Sequence, residues 1–328
     1  MPADLRRWLA AALACLALLP APHAAAQQRS LRLATWNLEW LIAPEAFERL
    51  AASCRDEPAP GEGRWIPCDI VAPGERFTRR TAEDFAKLRE YARRLDADVI
   101  ALQEVDGPRA ARLVFPDHDF CFTRRVHVQN VGFAIRPGVA FRCEDYPHLG
   151  LEGSRLRWGA DLTLFPGSQS EVRVLAVHLK SGCHGERLSS ERYDCRMLAE
   201  QVPILERWID ARAREGVAFA IAGDFNRRFA SERRYARDRF GRLTAIWPEL
   251  DDGSPPEADL TDATRVRRDA RCFPQDSHTV AIDHIVLSRS LAARLVPGSM
   301  RRVTYSTADA RRFRLSDHCP VAVTLELP

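Results

Sequence analysis

Short polar clusters punctuate this sequence: Thr35-Trp36-Asn37-Leu38-Glu39, Leu102-Gln103-Glu104-Val105, Val177-His178-Leu179, Gly223-Asp224-Phe225-Asn226, Ile282-Asp283-His284-Ile285 and Ser316-Asp317-His318. Carboxylates and side-chain amides are hard donors, suited to a divalent cation such as Mg²⁺. An imidazole titrates close enough to neutrality to move a proton or polarise a substrate. Each cluster alone has an ordinary structural explanation. Asp224 and Asn226 could form an Asx turn, Asp317-His318 a polar turn before the last strand, and His284 a packing contact. In order, and with apolar strand-like runs beside them, they read as one site assembled from points far apart in the chain.

The elements that must position them alternate between strand-like and helical patterns. Strands are expected at Leu31–Leu38, Val99–Val105, Phe120–Arg124, Val131–Arg136, Leu162–Phe165, Val172–Leu179, Ala218–Gly223, His284–Leu287 and Val321–Leu325. Phe85, Leu88, Tyr91 and Leu95 recur at helical spacing, so Thr81 to Leu95 reads as a helix with Thr81 as a candidate cap. A longer helix is expected from about Ser190 to Arg214. Many strands with few long helices favour sheets packed face to face with helices outside over a regular βαβ alternation. Ala51–Pro73 and Pro248–Ala258, rich in Pro and Gly, read as loop insertions, and there is no internal repeat.

At the amino end, Arg6 and Arg7 precede an apolar run from Trp8 to Leu19, then Pro20 and Ala24-Ala25-Ala26. This reads as a secretory signal over residues 1–26, with an A-x-A cleavage site and an apolar run shorter than the roughly 20 residues of a membrane helix. Residues 27–328 are then the exported domain, secreted or periplasmic, with no stable membrane anchor. The formal charge of +3 does not mark a polyanion-binding protein. Arginines do gather locally, at Arg227, Arg228, Arg233, Arg234, Arg237, Arg239 and Arg242, again at Arg265, Arg267, Arg268 and Arg271, and at Arg301, Arg302, Arg311, Arg312 and Arg314. The first and last groups flank the proposed site and could form a phosphate-tracking rim.

Once Cys15 leaves with the signal, the remaining eight cysteines are an even set in an exported chain, which suggests disulfides. Proximity pairs Cys54 with Cys68, Cys121 with Cys143 and Cys183 with Cys195, leaving Cys272 for Cys319. No paired C-x-x-C ligands suggest zinc.

The ordered clusters, from Trp36-Asn37 to Ser316-Asp317-His318, resemble the endonuclease/exonuclease/phosphatase superfamily, which includes deoxyribonuclease I, abasic-site endonucleases, neutral sphingomyelinases and inositol-polyphosphate phosphatases. The resemblance implies a four-layered α/β sandwich, two packed mixed β-sheets flanked by helices. It also implies phosphoester hydrolysis, which needs a positioned water and stabilisation of charge growing on phosphoryl and leaving oxygens. A divalent ion, Mg²⁺ with Mn²⁺ or Ca²⁺ as alternatives, supplies much of that stabilisation.

By the same resemblance, Glu104, Asn37 and Asp317 form the metal side, while Glu39 stays outside that shell. His318 is the general base or phosphate-activating imidazole, and Asp283 is the carboxylate that orients it. Asp224 positions the attacking water or helps the leaving group, and Asn226 donates amide hydrogens to a phosphoryl oxygen. His178 resembles the phosphate-donating histidine of the deoxyribonuclease I and sphingomyelinase branches. Deoxyribonuclease I pairs that histidine with an upstream glutamate, and Phe120 to Arg136 contains none.

These readings converge on an exported, monomeric, metal-dependent phosphodiesterase, a nuclease gripping DNA or RNA through its phosphates. Two alternatives stay open: a phospholipid phosphodiesterase or small-molecule phosphatase with the same chemistry, and a non-catalytic binding module. Membrane insertion would fall to Trp65-Ile66 or Ala245-Ile246-Trp247.

Overall fold

The structure is a computed structural model describing residues 29–56, 68, 79–153, 156–232, 236–265, 271–273 and 280–328. The signal-like segment, Trp65-Ile66, Arg233, Arg234, Arg267 and Arg268 lie outside the described residues.

Among the described residues, twelve strands form two six-stranded sheets. Sheet one contains β1 (Arg29–Leu41), β2 (Val99–Val105), β3 (Asp119–Phe122), β4 (Asn130–Ile135), β11 (Arg301–Arg302) and β12 (Val321–Leu327), in the order β11-β12-β1-β2-β4-β3. Sheet two contains β5 (Phe141–Tyr146), β6 (Gly159–Leu164), β7 (Val172–His178), β8 (Ala218–Asp224), β9 (Leu260–Asp262) and β10 (Asp283–Ser288), in the order β5-β6-β7-β8-β10-β9. Both sheets are mixed: β1 runs parallel to β2 and β7 to β8, while β12 and β10 join antiparallel.

Side-chain alternation explains the layering. Along β8, Ala218, Ala220 and Ala222 face the other sheet, while Phe219 and Ile221 face outward. Along β2, Val99 and Ala101 point inward and Ile100 and Leu102 outward. Helices cover both outer faces, so the central strands are buried on two sides and read as continuous apolar runs. Of the helices α1 (Pro44–Asp56), α2 (Ala82–Leu95), α3 (Pro108–Val114) and α4 (Tyr193–Arg214), α2 lays Phe85, Leu88, Tyr91 and Leu95 on sheet one, and its Thr81 cap makes a reciprocal capping box with Asp84. Helix α4 (Tyr193–Arg214) lays Leu198, Val202, Leu205 and Trp208 on sheet two. The four-layered sandwich expected from the resemblance is therefore present.

The Ala51–Pro73 insertion begins inside a helix, Pro44–Asp56. Pro248–Ala258 overlaps a short helix, Trp247–Leu250, whose Leu250 is buried against α4 together with Ala258. Pro and Gly mark chain reversals there, but Leu250 and Ala258 pack into the core between them. All four expected disulfides form: Cys54–Cys68, Cys121–Cys143, Cys183–Cys195 and Cys272–Cys319. The Cys121–Cys143 bridge joins an edge strand of each sheet.

Candidate active site

Three of the expected residues form a row across sheet two. His178 ends β7 opposite Asp224 of β8, and Asp224 pairs in turn with Asp283, the first residue of β10. Period-two alternation places them on the inward face that Ala176, Ala222 and Ile285 also share. Gly223 permits this row, because a Cβ there would sit 2.0 Å from the Val177 carbonyl oxygen.

Sheet one provides the facing wall. Asn37 is in register with Gln103, and Glu104 follows. Strict alternation would place Glu104 on the outer face with Leu102; a left-handed backbone at φ 59° redirects it. Its Oε1 accepts the Asn37 amide at 3.1 Å and its Oε2 accepts the Trp40 N–H at 3.3 Å. The Asn37 amide also donates to Asp224 Oδ2 at 3.1 Å, linking the sheets. In this arrangement Asn37 faces the carboxylates with its nitrogen, while its oxygen accepts the Glu39 N–H.

The Ser316-Asp317-His318 turn closes the cluster. Ser316 Oγ donates to the Asn37 carbonyl at 2.8 Å and accepts the His318 N–H at 3.1 Å. The Tyr305 hydroxyl donates to the His318 carbonyl at 2.6 Å. His318 Nδ1 lies 2.8 Å from Asp283 Oδ2, leaving Nε2 near Asp224 Oδ2 and Asp317 Oδ1, each at 3.9 Å. Two aspartates with ordinary turn explanations thus flank one imidazole whose far nitrogen faces a cleft of about 600 Å³.

The electrostatics follow from crowding acids in a sheltered place. Burial, reinforced by Asp283 and Glu104 and opposed by His318, pushes Asp224 up to about 7. Burial and the Asp317 charge push Glu39 up to about 7 as well. Burial alone would lower His318, but Asp283, Asp224 and Asp317 outweigh it and hold the imidazole well above its ordinary value. His178 is driven the other way, by burial first and then by Arg157 and His318, so it is neutral. Glu104 and Asp317, on either side of Asp224, offer only hard oxygen donors, and that donor set fits a hard divalent cation.

Every expected site residue borders this cluster, with differing engagement. Asn226 forms the Asx turn, its N–H 2.7 Å from Asp224 Oδ1, and one amide hydrogen goes to the Leu179 carbonyl at 3.1 Å. His178 Nε2 is 3.5 Å from Asp224 and 3.7 Å from Glu104, while its buried Nδ1 finds no hydrogen-bond partner among the described residues. Arg227 is a correction to the expected rim: it is buried, donating to Cys183 O and paired with Glu232. Glu232, five residues on, was the signal for that internal pair.

The cations that do reach the cleft include Arg157, Lys180, Arg228 and Arg302. Of these, Arg157 and Lys180 carried no motif. Arg157 is held by the His178 and Leu179 carbonyls, and burial lowers its pKa. Trp40 contributes an aromatic edge. Ala245 and Ile246, candidates for membrane insertion, are fully buried instead.

Comparison with known proteins places this arrangement. The model of the Endonuclease/Exonuclease/phosphatase family matches residues 34–318. No curated protein matches the sequence. A humanized D. rerio TDP2 carrying 14 mutations superimposes with a TM-score of 0.52 at 16% identity, over 90% of this chain and 98% of that one. Truncated Caenorhabditis elegans TDP2 gives 0.52 at 11% identity, over 90% and 98%. An endonuclease/exonuclease/phosphatase from Beutenbergia cavernae DSM 12333 gives 0.49 at 22% identity, over 91% and 72%. The two TDP2 structures share the fold of this chain.

Proposed function

Because this chain belongs to the endonuclease/exonuclease/phosphatase family, whose members hydrolyse phosphoester bonds, we propose that it is an exported, divalent-metal-dependent phosphodiesterase acting on a nucleic-acid backbone. The observation that carries this reading is the His318–Asp283 pair, whose free Nε2 faces Asp224 beside Glu104 and Asp317. Glu104 and Asp317 would hold a divalent ion, with Asn37 bracing Glu104, and that ion would supply charge neutralisation at the phosphoryl group.

The protein's own residues do the rest. His318, kept cationic by three carboxylates, donates from Nε2 to a phosphoryl oxygen. Asp224, with a pKa near neutrality, accepts the proton of the attacking water. The second amide hydrogen of Asn226 and the Arg157 guanidinium supply further donors.

Arg228 and Arg302, which border the cleft, support a polyanionic substrate. Four disulfides support an oxidising compartment, and no helix among the described residues is long and apolar enough to cross a membrane.

The test is to assay the oxidised chain 27–328 with Mg²⁺, Mn²⁺ and Ca²⁺ separately on duplex DNA, single-stranded DNA, RNA and sphingomyelin, with Asp224→Ala as control. Cleavage of nucleic acid, abolished by chelator and by the substitution, is expected. Turnover of sphingomyelin with nucleic acid untouched would sink the nuclease reading.

A further inference from the structure

Arg80 has no place in the clusters described above and does not touch the cleft chemistry, yet it is 5% exposed at the back of the site. Its guanidinium joins two chain segments that lie at opposite ends of the described chain, Leu38–Trp40 and Arg314–Leu315. Nε donates to the Arg314 carbonyl at 3.1 Å and Nη2 to Leu315 O; Nη1 donates to Trp40 O and Nη2 to Leu38 O, each at 3.0 Å. One pair of carbonyls lies at the register shift near the end of β1, and the other immediately precedes Ser316-Asp317-His318.

The two β1 carbonyls that accept from Arg80 sit in an irregular stretch. Between Asn37 and Leu41 the β1–β2 register shifts, and Glu39 and Trp40 adopt left-handed backbones at φ 43° and 52°. Such a kink in buried strands removes ladder partners, and a buried carbonyl left unpaired is costly. The same kink aims Trp40 N–H at Glu104 Oε2 and presents Glu39 Oε2 to the Asp317 N–H at 3.1 Å. The donors of Arg80 thus hold the backbone of Trp40, whose N–H meets Glu104, and of Leu315, two residues before Asp317.

We infer that Arg80 is a positioning residue for the cation side of the site, setting the separation of Glu104 and Asp317 through four backbone carbonyls. The inference rests on the metal-dependent reading above. Its basis is a planar fork with donors in different directions, which an ammonium of equal charge cannot reproduce.

Mn²⁺ binding, read by electron paramagnetic resonance of the free ion in substrate-free protein, tests it in wild type, Arg80→Lys, Arg80→Met and a remote control. Trp208→Phe serves as that control: it loses an indole hydrogen bond to Asp161 on the far side of sheet two. Both Arg80 variants are expected to bind Mn²⁺ about 10–100-fold more weakly, the range seen when residues supporting metal ligands are removed. The control should keep wild-type affinity despite any loss in melting temperature.

Wild-type affinity in both Arg80 variants would overturn the inference. So would wild-type affinity in Arg80→Lys alone, which would reduce the role to charge. A wild type that binds no Mn²⁺ would sink the metal reading and this inference together. If neither variant folds, hydrogen exchange in the wild type decides: Mg²⁺ should slow exchange of the Trp40 amide and the Arg80 guanidinium protons, and unchanged exchange overturns the inference.

Discussion

His318 and His284 each hold an aspartate through Nδ1, at 2.8 Å from Asp283 and 3.2 Å from Asp262, and the two pairs meet on one strand where Asp283 precedes His284. Their far nitrogens differ. Nε2 of His284 is taken by the Arg227 carbonyl at 3.0 Å, and its ring is stacked on Phe229 at 4.0 Å and edged by Phe225. Nε2 of His318 faces Asp224 and Asp317 across an open cleft. An imidazole–carboxylate pair is thus only half of a catalytic device. The other half is a nitrogen that the fold leaves for substrate, and β-strand alternation decides which neighbour receives it.

The sharpest way to break this comparison is to remove each histidine. His318→Ala should lower kcat/KM per folded molecule by about 10³–10⁴-fold, near the upper range for loss of an acid–base group. Single-turnover cleavage under saturating metal measures it, and a loss of less than tenfold would place the chemistry elsewhere. Asp283→Asn keeps shape but removes the charge that orients the ring, so a smaller loss of about 10²–10³-fold is expected, with the pH profile displaced toward acid as the imidazole loses its stabilising partner.

His284→Ala should invert the pattern. It leaves Asp262 and the Arg227 carbonyl without their partner and opens space beside Phe229, for a cost of about 2–4 kcal/mol by urea titration. Activity per folded molecule should stay within about threefold of wild type, since no reacting group is touched. A collapse of activity without a loss of stability would mean that the two pairs are functionally coupled.

The sequence distinguished these two pairs more easily than it revealed what supports them. β2 was legible residue by residue because its doubly buried run has one reading, and α2 because Thr81 and its apolar spacing agree. The acids and histidines of the site were legible because they end such runs. The edge strand Phe141–Tyr146, with Arg142, Glu144 and Asp145 in a half-exposed run, offered no alternation to follow. Strands of two or three residues, β11 and β9, leave no pattern at all. Arg80 and Arg157 were invisible for another reason: in an arginine-rich chain, nothing local separates a guanidinium that ties carbonyls together from one in solvent. The left-handed backbones of Glu39, Trp40 and Glu104 depend on those distant ties and have no glycine to announce them.

The smallest expected effect separates the pairs by sign. Carboxylates hold His318 above its ordinary 6.5 despite burial. In metal-free protein its contribution to stability is therefore full below pH 6.5 and is lost as pH climbs through the raised value. Asp262 is held below its ordinary 3.8, because hydrogen bonding and charge from His284, with Thr264, outweigh burial. Its contribution is present above pH 3.8 and fades as pH falls through the depressed value. Urea titrations of chelated protein should show the wild-type advantage over His318→Ala shrinking toward alkaline pH, and the advantage over Asp262→Asn shrinking toward acid. Two gaps moving in the same direction would mean that the open pair and the closed pair share one electrostatic environment. The carboxylates around Nε2 argue otherwise, since Asp224 and Asp317 face His318 while a peptide carbonyl and two phenyl rings enclose His284.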